Sequence, residues 1–132
     1  MLQMLYIALG GSAGAVSRYL ISGAVSRTSN EVFPWGTMAV NLVGSLLIGF
    51  FIELFSRSLI PENLRSFLII GFLGAFTTFS AYAMESIDLL RGNEIKFFFQ
   101  NILIHNMLGL VCVIFGIYLS RIVIKIITQC IA

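Results

Sequence analysis

Charged residues in this chain are gathered into short polar breaks that separate long apolar runs. Between Met1 and Arg27 the only charge is Arg18. There are then 21 uncharged residues from Val32 to Ile52, 19 from Ser66 to Met84 and 24 from Phe97 to Ser120. A helix needs roughly 20 residues to cross a hydrocarbon core about 30 Å thick, so each run holds one membrane span. The runs predict helices over residues 4–24, 37–55, 66–89 and 97–124, all within a single domain, residues 1–132. The cluster Ser26-Arg27-Thr28-Ser29-Asn30 is expected to end the first helix in a polar turn, and Pro34 and Gly36 precede the second. Pro61-Glu62-Asn63 leads into the third and Arg91-Gly92-Asn93 turns into the fourth. Every connection is short, so the four helices alternate up, down, up, down.

Composition agrees with an all-α membrane protein. Of 132 residues, 58% are hydrophobic and 11% charged, against roughly 25% charged in soluble domains, and the mean hydropathy is +0.98. Ala13-Gly14-Ala15 has the look of a signal cleavage site, but Met-Leu-Gln-Met-Leu lacks the basic segment a signal requires, so the first run is expected to stay as a span. Cys112 and Cys130 form neither a disulfide framework nor a ligand cluster, and both are expected as free thiols. The net charge of +2 includes no basic run able to track a phosphate backbone, which argues against a nucleic-acid partner. The division of charge between the two membrane faces matters more. Arg57, Arg65, Arg121 and Lys125 fall on the face of the N-terminus, and Arg18, Arg27, Arg91 and Lys96 toward the other. Orientation follows an excess of Lys and Arg on the cytoplasmic side, and without one the chain is expected to insert both ways.

Polar groups inside a span face protein or water, so their positions locate candidate function. In the second span Thr37, Asn41 and Ser45 share one face beside Gly44, as an interhelical hydrogen-bonding stripe or as the wall of a polar path. The densest signal is Gly71-Phe72-Leu73-Gly74-Ala75-Phe76-Thr77-Thr78-Phe79-Ser80-Ala81-Tyr82. Its glycines and three hydroxyls fit a local break whose freed carbonyls bind a cation, though on the residues alone an intact helix packed through its glycines is the plainer reading. Phe79, Tyr82 and Glu85 follow at spacings of three, where aromatic edges could face an anion or simply pack, and Glu85 could reach the interface without a partner. The fourth span aligns Asn101, His105, Gly109, Cys112 and Gly116 in a small, polar seam. His105 lacks companions for a metal site there. Gly10 to Ala15 offers a close-packing surface in the first span, and Arg18 either snorkels or draws anions to a vestibule.

Three of these stretches, Gly10-Gly11-Ser12-Ala13-Gly14-Ala15-Val16-Ser17-Arg18-Tyr19, Pro34-Trp35-Gly36-Thr37-Met38-Ala39-Val40-Asn41-Leu42-Val43-Gly44 and Gly71 to Ser80, together resemble the Fluc/CrcB family of bacterial fluoride channels. The resemblance implies a dual-topology homodimer of two antiparallel copies in the lipid of the bacterial cytoplasmic (inner) membrane. Such a dimer would export fluoride passively, reduce its toxicity, and enclose a central structural sodium ion. It implies a break in the third helix near the midplane, with the backbone carbonyls of Gly74 and Thr77 on sodium. It maps the fluoride pathway onto Asn41, Phe79 and Tyr82, with Thr37, Thr78, Ser80 and Glu85 beside it and Arg18 in the vestibule. Tyr82 stands where the family usually has Phe, and His105 or Asn106 stands where it often has Ser. A small dual-topology multidrug transporter, also four helices long, is the main competitor, but it would carry an acidic residue in its first helix, where this chain has only Arg18. Enzyme chemistry is not indicated, because no nucleophile, base and orienting group recur together.

Overall fold

The structure, a computed structural model, describes residues 1–29, 32–57 and 61–131, with side chains as far as Gln129. The expectations for Asn30 and for the Cys130 thiol lie outside the described residues. Helix α1 is Leu2–Thr28 and α2 is Trp35–Arg57. The third span opens with α3, residues 62–76, built from an α-helical turn Glu62–Arg65, a wider π-helical stretch Ser66–Leu73 and a last turn Gly74–Phe76. It continues as α4, Phe79–Arg91, and α5 is Ile95–Ile131. Four segments, Leu2–Thr28, Trp35–Arg57, Glu62–Arg91 and Ile95–Gln129, are long and apolar enough to cross a membrane.

The helices run past the apolar stretches that announce them. Helix α1 continues through Ser26-Arg27-Thr28 instead of turning there. The reason is local: Thr28 Oγ1 donates to the Val25 carbonyl at 2.8 Å and Ser29 Oγ to the same oxygen at 2.9 Å, holding the last turn closed. At the other hairpin, Asn93 takes the left-handed conformation (φ 61°) and the Glu94 N–H reaches the Leu89 carbonyl at 2.8 Å, a turn that Asn tolerates well.

Small residues set the pairing. A Cβ on Gly14 would run into the Phe72 carbonyl, and one on Gly10 into that of Phe67, so α1 lies directly against α3. Gly49 meets the Val113 carbonyl and Gly116 the Leu46 carbonyl, which brings α2 against α5 in the same way. Lipid offers no hydrophobic drive for helix association, so this close backbone approach and the dispersion contacts it allows hold the pairs together. The enclosed apolar core is correspondingly small, with Phe33, Met38, Val40, Leu73, Phe76 and Leu89 buried. Large apolar side chains such as Leu9, Val16, Leu110 and Ile114 stay exposed, as a hydrocarbon solvent permits.

Candidate functional site

Between α3 and α4 the backbone leaves the helical conformation. Thr77 (φ −85°, ψ 155°) and Thr78 (φ −147°, ψ 111°) are both extended. Asn41 of α2 holds this segment through both ends of its amide: Nδ2 donates to the Thr78 carbonyl at 3.0 Å, and Oδ1 accepts from the Thr78 N–H at 2.8 Å. Gly44, one turn further along α2, leaves the space that the Thr77 methyl fills. Thr78 then caps α4, its Oγ1 accepting from the Ala81 N–H at 3.2 Å.

These bonds redirect two donors. In an uninterrupted helix the Thr78 N–H would serve the Gly74 carbonyl and the Ala81 N–H the Thr77 carbonyl. Here the first goes to Asn41 and the second to the Thr78 hydroxyl. The carbonyls of Gly74 and Thr77 are thereby released from their helical partners, which equips them as neutral oxygen ligands. Gly74 is exposed, and the direction of its missing side chain meets only the Ile69 carbonyl, at 3.8 Å.

Two cavities meet at Thr78. One, of about 300 Å³, is lined by Asn41, Ser45, Thr77, Thr78, Phe79, Tyr82, His105 and Asn106 among others. The second, of about 500 Å³, is lined by Arg18, Tyr19, Ser22, Thr37, Thr78 and Ser80 among others. The first gathers the aromatic candidates. The Phe79 and Tyr82 rings lie 5.5 Å apart, and the Tyr82 ring lies 4.4 Å from that of His105. Because a carbonyl can only accept, the 3.1 Å contact to the Asn101 carbonyl assigns a proton to His105 Nδ1. Phe79 itself is 79% exposed.

The structure separates some residues that the sequence grouped. Glu85 does not join the aromatic pair. Its Oε1 accepts from the hydroxyl of buried Thr37, and it borders a third cavity with Asp88 and Glu94. Glu85 therefore has a partner in Thr37, where its place near the interface did not require one. Gly74 lines neither of the two cavities that meet at Thr78. Sequence reasoning also missed a relay behind Tyr82. There fully buried Asn101 donates to Ser86 Oγ at 3.0 Å and Ser86 Oγ to the Tyr82 carbonyl at 2.7 Å. The place of Asn101 in the polar seam of the fourth span was one signal for it, and a Ser four residues after an aromatic was the other.

Apolar helices of membrane length, with polar side chains gathered about an interrupted third span, define a multi-pass membrane protein with an internal polar surface. Comparison with known proteins makes the class specific. The family model described as CrcB-like protein, Camphor Resistance (CrcB), matches residues 5–117. The chain is 45% identical over 124 residues to the fluoride-specific ion channel FluC of Bacteroides fragilis, covering 92% of this chain and 98% of that protein. It is 37% identical over 123 residues to the FluC of Magnetococcus marinus, covering 92% and 100%. It is 43% identical over 121 residues to that of Phocaeicola vulgatus, again covering 92% and 100%. The chain belongs to the CrcB family, a family of fluoride ion channels and not of enzymes.

Proposed function

We propose that two antiparallel copies of this chain form a fluoride-selective channel that exports fluoride passively across the bacterial cytoplasmic (inner) membrane and so reduces its toxicity. The observation that carries this reading is the Asn41-braced interruption at Thr77 and Thr78, set between two polar cavities in a chain whose relatives are named fluoride-specific channels. The break lies near the midplane of the bilayer. It gives α4 an N-terminus there, and such an end concentrates partial positive charge where an anion must pass. Arg18 adds a full positive charge at the second cavity, as an anion vestibule would use. Asn41, Thr78, Phe79, Tyr82 and His105 line the pathway on one side of the interruption, and Thr37 and Ser80 on the other, with Glu85 reached through Thr37.

Antiparallel pairing is supported by the even split of basic residues between the two membrane faces. Gly74, exposed and lining neither of the two cavities, leaves backbone that a second copy would cover. The residues at the interruption also fit a structural sodium ion. The released carbonyls of Gly74 and Thr77 from each copy would hold it, and the bound ion would supply a fixed positive centre between neutral ligands.

Liposomes containing only the purified protein, loaded with potassium fluoride, test the proposal. Fluoride should leave when valinomycin balances the charge, and should leave more slowly when a large organic cation replaces sodium throughout. Release no faster than from protein-free liposomes, or release that requires a proton gradient, rejects the channel. Indifference to sodium rejects the structural ion alone.

A further inference from the structure

A second polar feature lies away from the pathway, where the C-terminal end of α2 meets α5. Arg57, Arg121, Ile124, Lys125 and Thr128 line a cavity of about 390 Å³. Glu53, 13% exposed, lies beneath it, and its Oε1 accepts from the Nε of Arg57 and from the Nε of Arg121, each at 2.9 Å. One carboxylate therefore anchors two guanidiniums from different helices, while both Arg side chains stay more than half exposed, at 57% and 58%. Lys125 stands one turn beyond Arg121, and among the described residues no carboxylate pairs with it. The cavity thus has three cations against one carboxylate, an excess of two positive charges.

Its level in the bilayer follows from helix length. Helix α5 has 37 residues, about 55 Å at roughly 1.5 Å per residue, against a hydrocarbon core of about 30 Å. The uncharged run ends at Ser120, so Arg121 marks where α5 leaves the hydrocarbon, beside the end of α2 at Arg57. Tyr118 and Ile114, one turn and two turns inward of Arg121 on the same face of α5, are exposed. Headgroup phosphate and the first part of an acyl chain occupy this depth together. Guanidinium groups recognise phosphate through paired N–H donors, and basic clusters at a span's edge attract anionic lipid.

We propose that this pocket is a binding site for the phosphate of an anionic phospholipid, separate from the ion pathway. Arg57 and Arg121, held in place by Glu53, grip the phosphate, Lys125 adds charge, and exposed Ile114 and Tyr118 lie along the acyl chain. The occupant is a lipid and not free phosphate, because the site lies at the membrane edge with exposed apolar side chains directly inward of the cations.

Native mass spectrometry of the full chain in detergent tests this, with phosphatidylglycerol as the probe and phosphatidylcholine as its zwitterionic control. Phosphatidylglycerol should be retained in preference, and Lys125→Gln, which breaks no ion pair among the described residues, should weaken retention about fivefold. Arg121→Gln combined with Lys125→Gln should weaken it about 25-fold, at about fivefold per lost cation. Lys96→Gln, at the opposite end of α5, should change nothing. Equal retention of the two lipids, full retention by Lys125→Gln, or displacement of the lipid by excess inorganic phosphate would overturn the proposal.

Discussion

Asn41 offers the sharpest test of how the interruption is maintained. Replacing it with Leu keeps the branching of its side chain but removes both amide bonds, leaving the Thr78 N–H and carbonyl without their partners. A buried backbone group left unpaired costs about 1–3 kcal/mol, so two would cost about 2–6 kcal/mol. Both residues border a polar cavity, where water offsets part of the loss, and the lower end of that range, about 2–3 kcal/mol, is the expected cost. A change of that size moves an equilibrium about 30- to 150-fold. Asn41→Leu should therefore lower the unfolding temperature in detergent and cut fluoride efflux from liposomes by at least tenfold. Asn41→Asp keeps the acceptor for the Thr78 N–H but sets a carboxylate oxygen against the Thr78 carbonyl, and it should also lose efflux. Wild-type stability and wild-type efflux in Asn41→Leu would refute the bracing role outright. Wild-type stability with lost efflux would leave Asn41 its place in the pathway wall and remove its role as a brace.

Three further outcomes are expected. Gly14→Ala drives a methyl into the Phe72 carbonyl, and the separation of α1 from α3 should cost about 1–3 kcal/mol or more, seen as loss of monodisperse elution in detergent; unchanged elution would mean that the two backbones are not in contact. Phe79→Ile removes a 79% exposed ring without opening a core, so efflux should fall while elution and thermal stability stay at wild-type values; normal efflux would take Phe79 out of the pathway. Adding Lys residues to one membrane face should lock the orientation and abolish efflux until an oppositely locked copy is co-expressed, and a locked chain that conducts alone would exclude the antiparallel dimer.

The spans were legible because partition between water and lipid is a local property, read directly from the gaps between charges. Helix ends were less so. The hydroxyls of Thr28 and Ser29 bond backward to Val25 and extend α1, a result that turn propensity alone does not anticipate. The close-packing role of Gly10 and Gly14 was also visible, since small residues at a spacing of four in an apolar helix mark a contact face. Which helix they meet was not, because nothing local to the first span distinguishes Phe72 in the third from any other backbone.

The same limit governs the site. The spacing of Thr37, Asn41 and Ser45 placed them on one face, and two of them do meet the third span, but their partners depend on how far one helix slides against another. Asn41 bonds to a backbone 37 positions away and Thr37 to a carboxylate 48 positions away. A slip of one residue in α2 would turn the Asn41 amide by about 100° and empty both bonds. The glycines are what hold that register: Gly44 seats the Thr77 methyl, while Gly49 and Gly116 lock α2 to α5. The polar contacts at Thr78 thus depend on small residues that carry no chemistry of their own. A substitution at Gly49, which lines neither of the two cavities that meet at Thr78, should disturb the Asn41 brace by shifting α2 as a body.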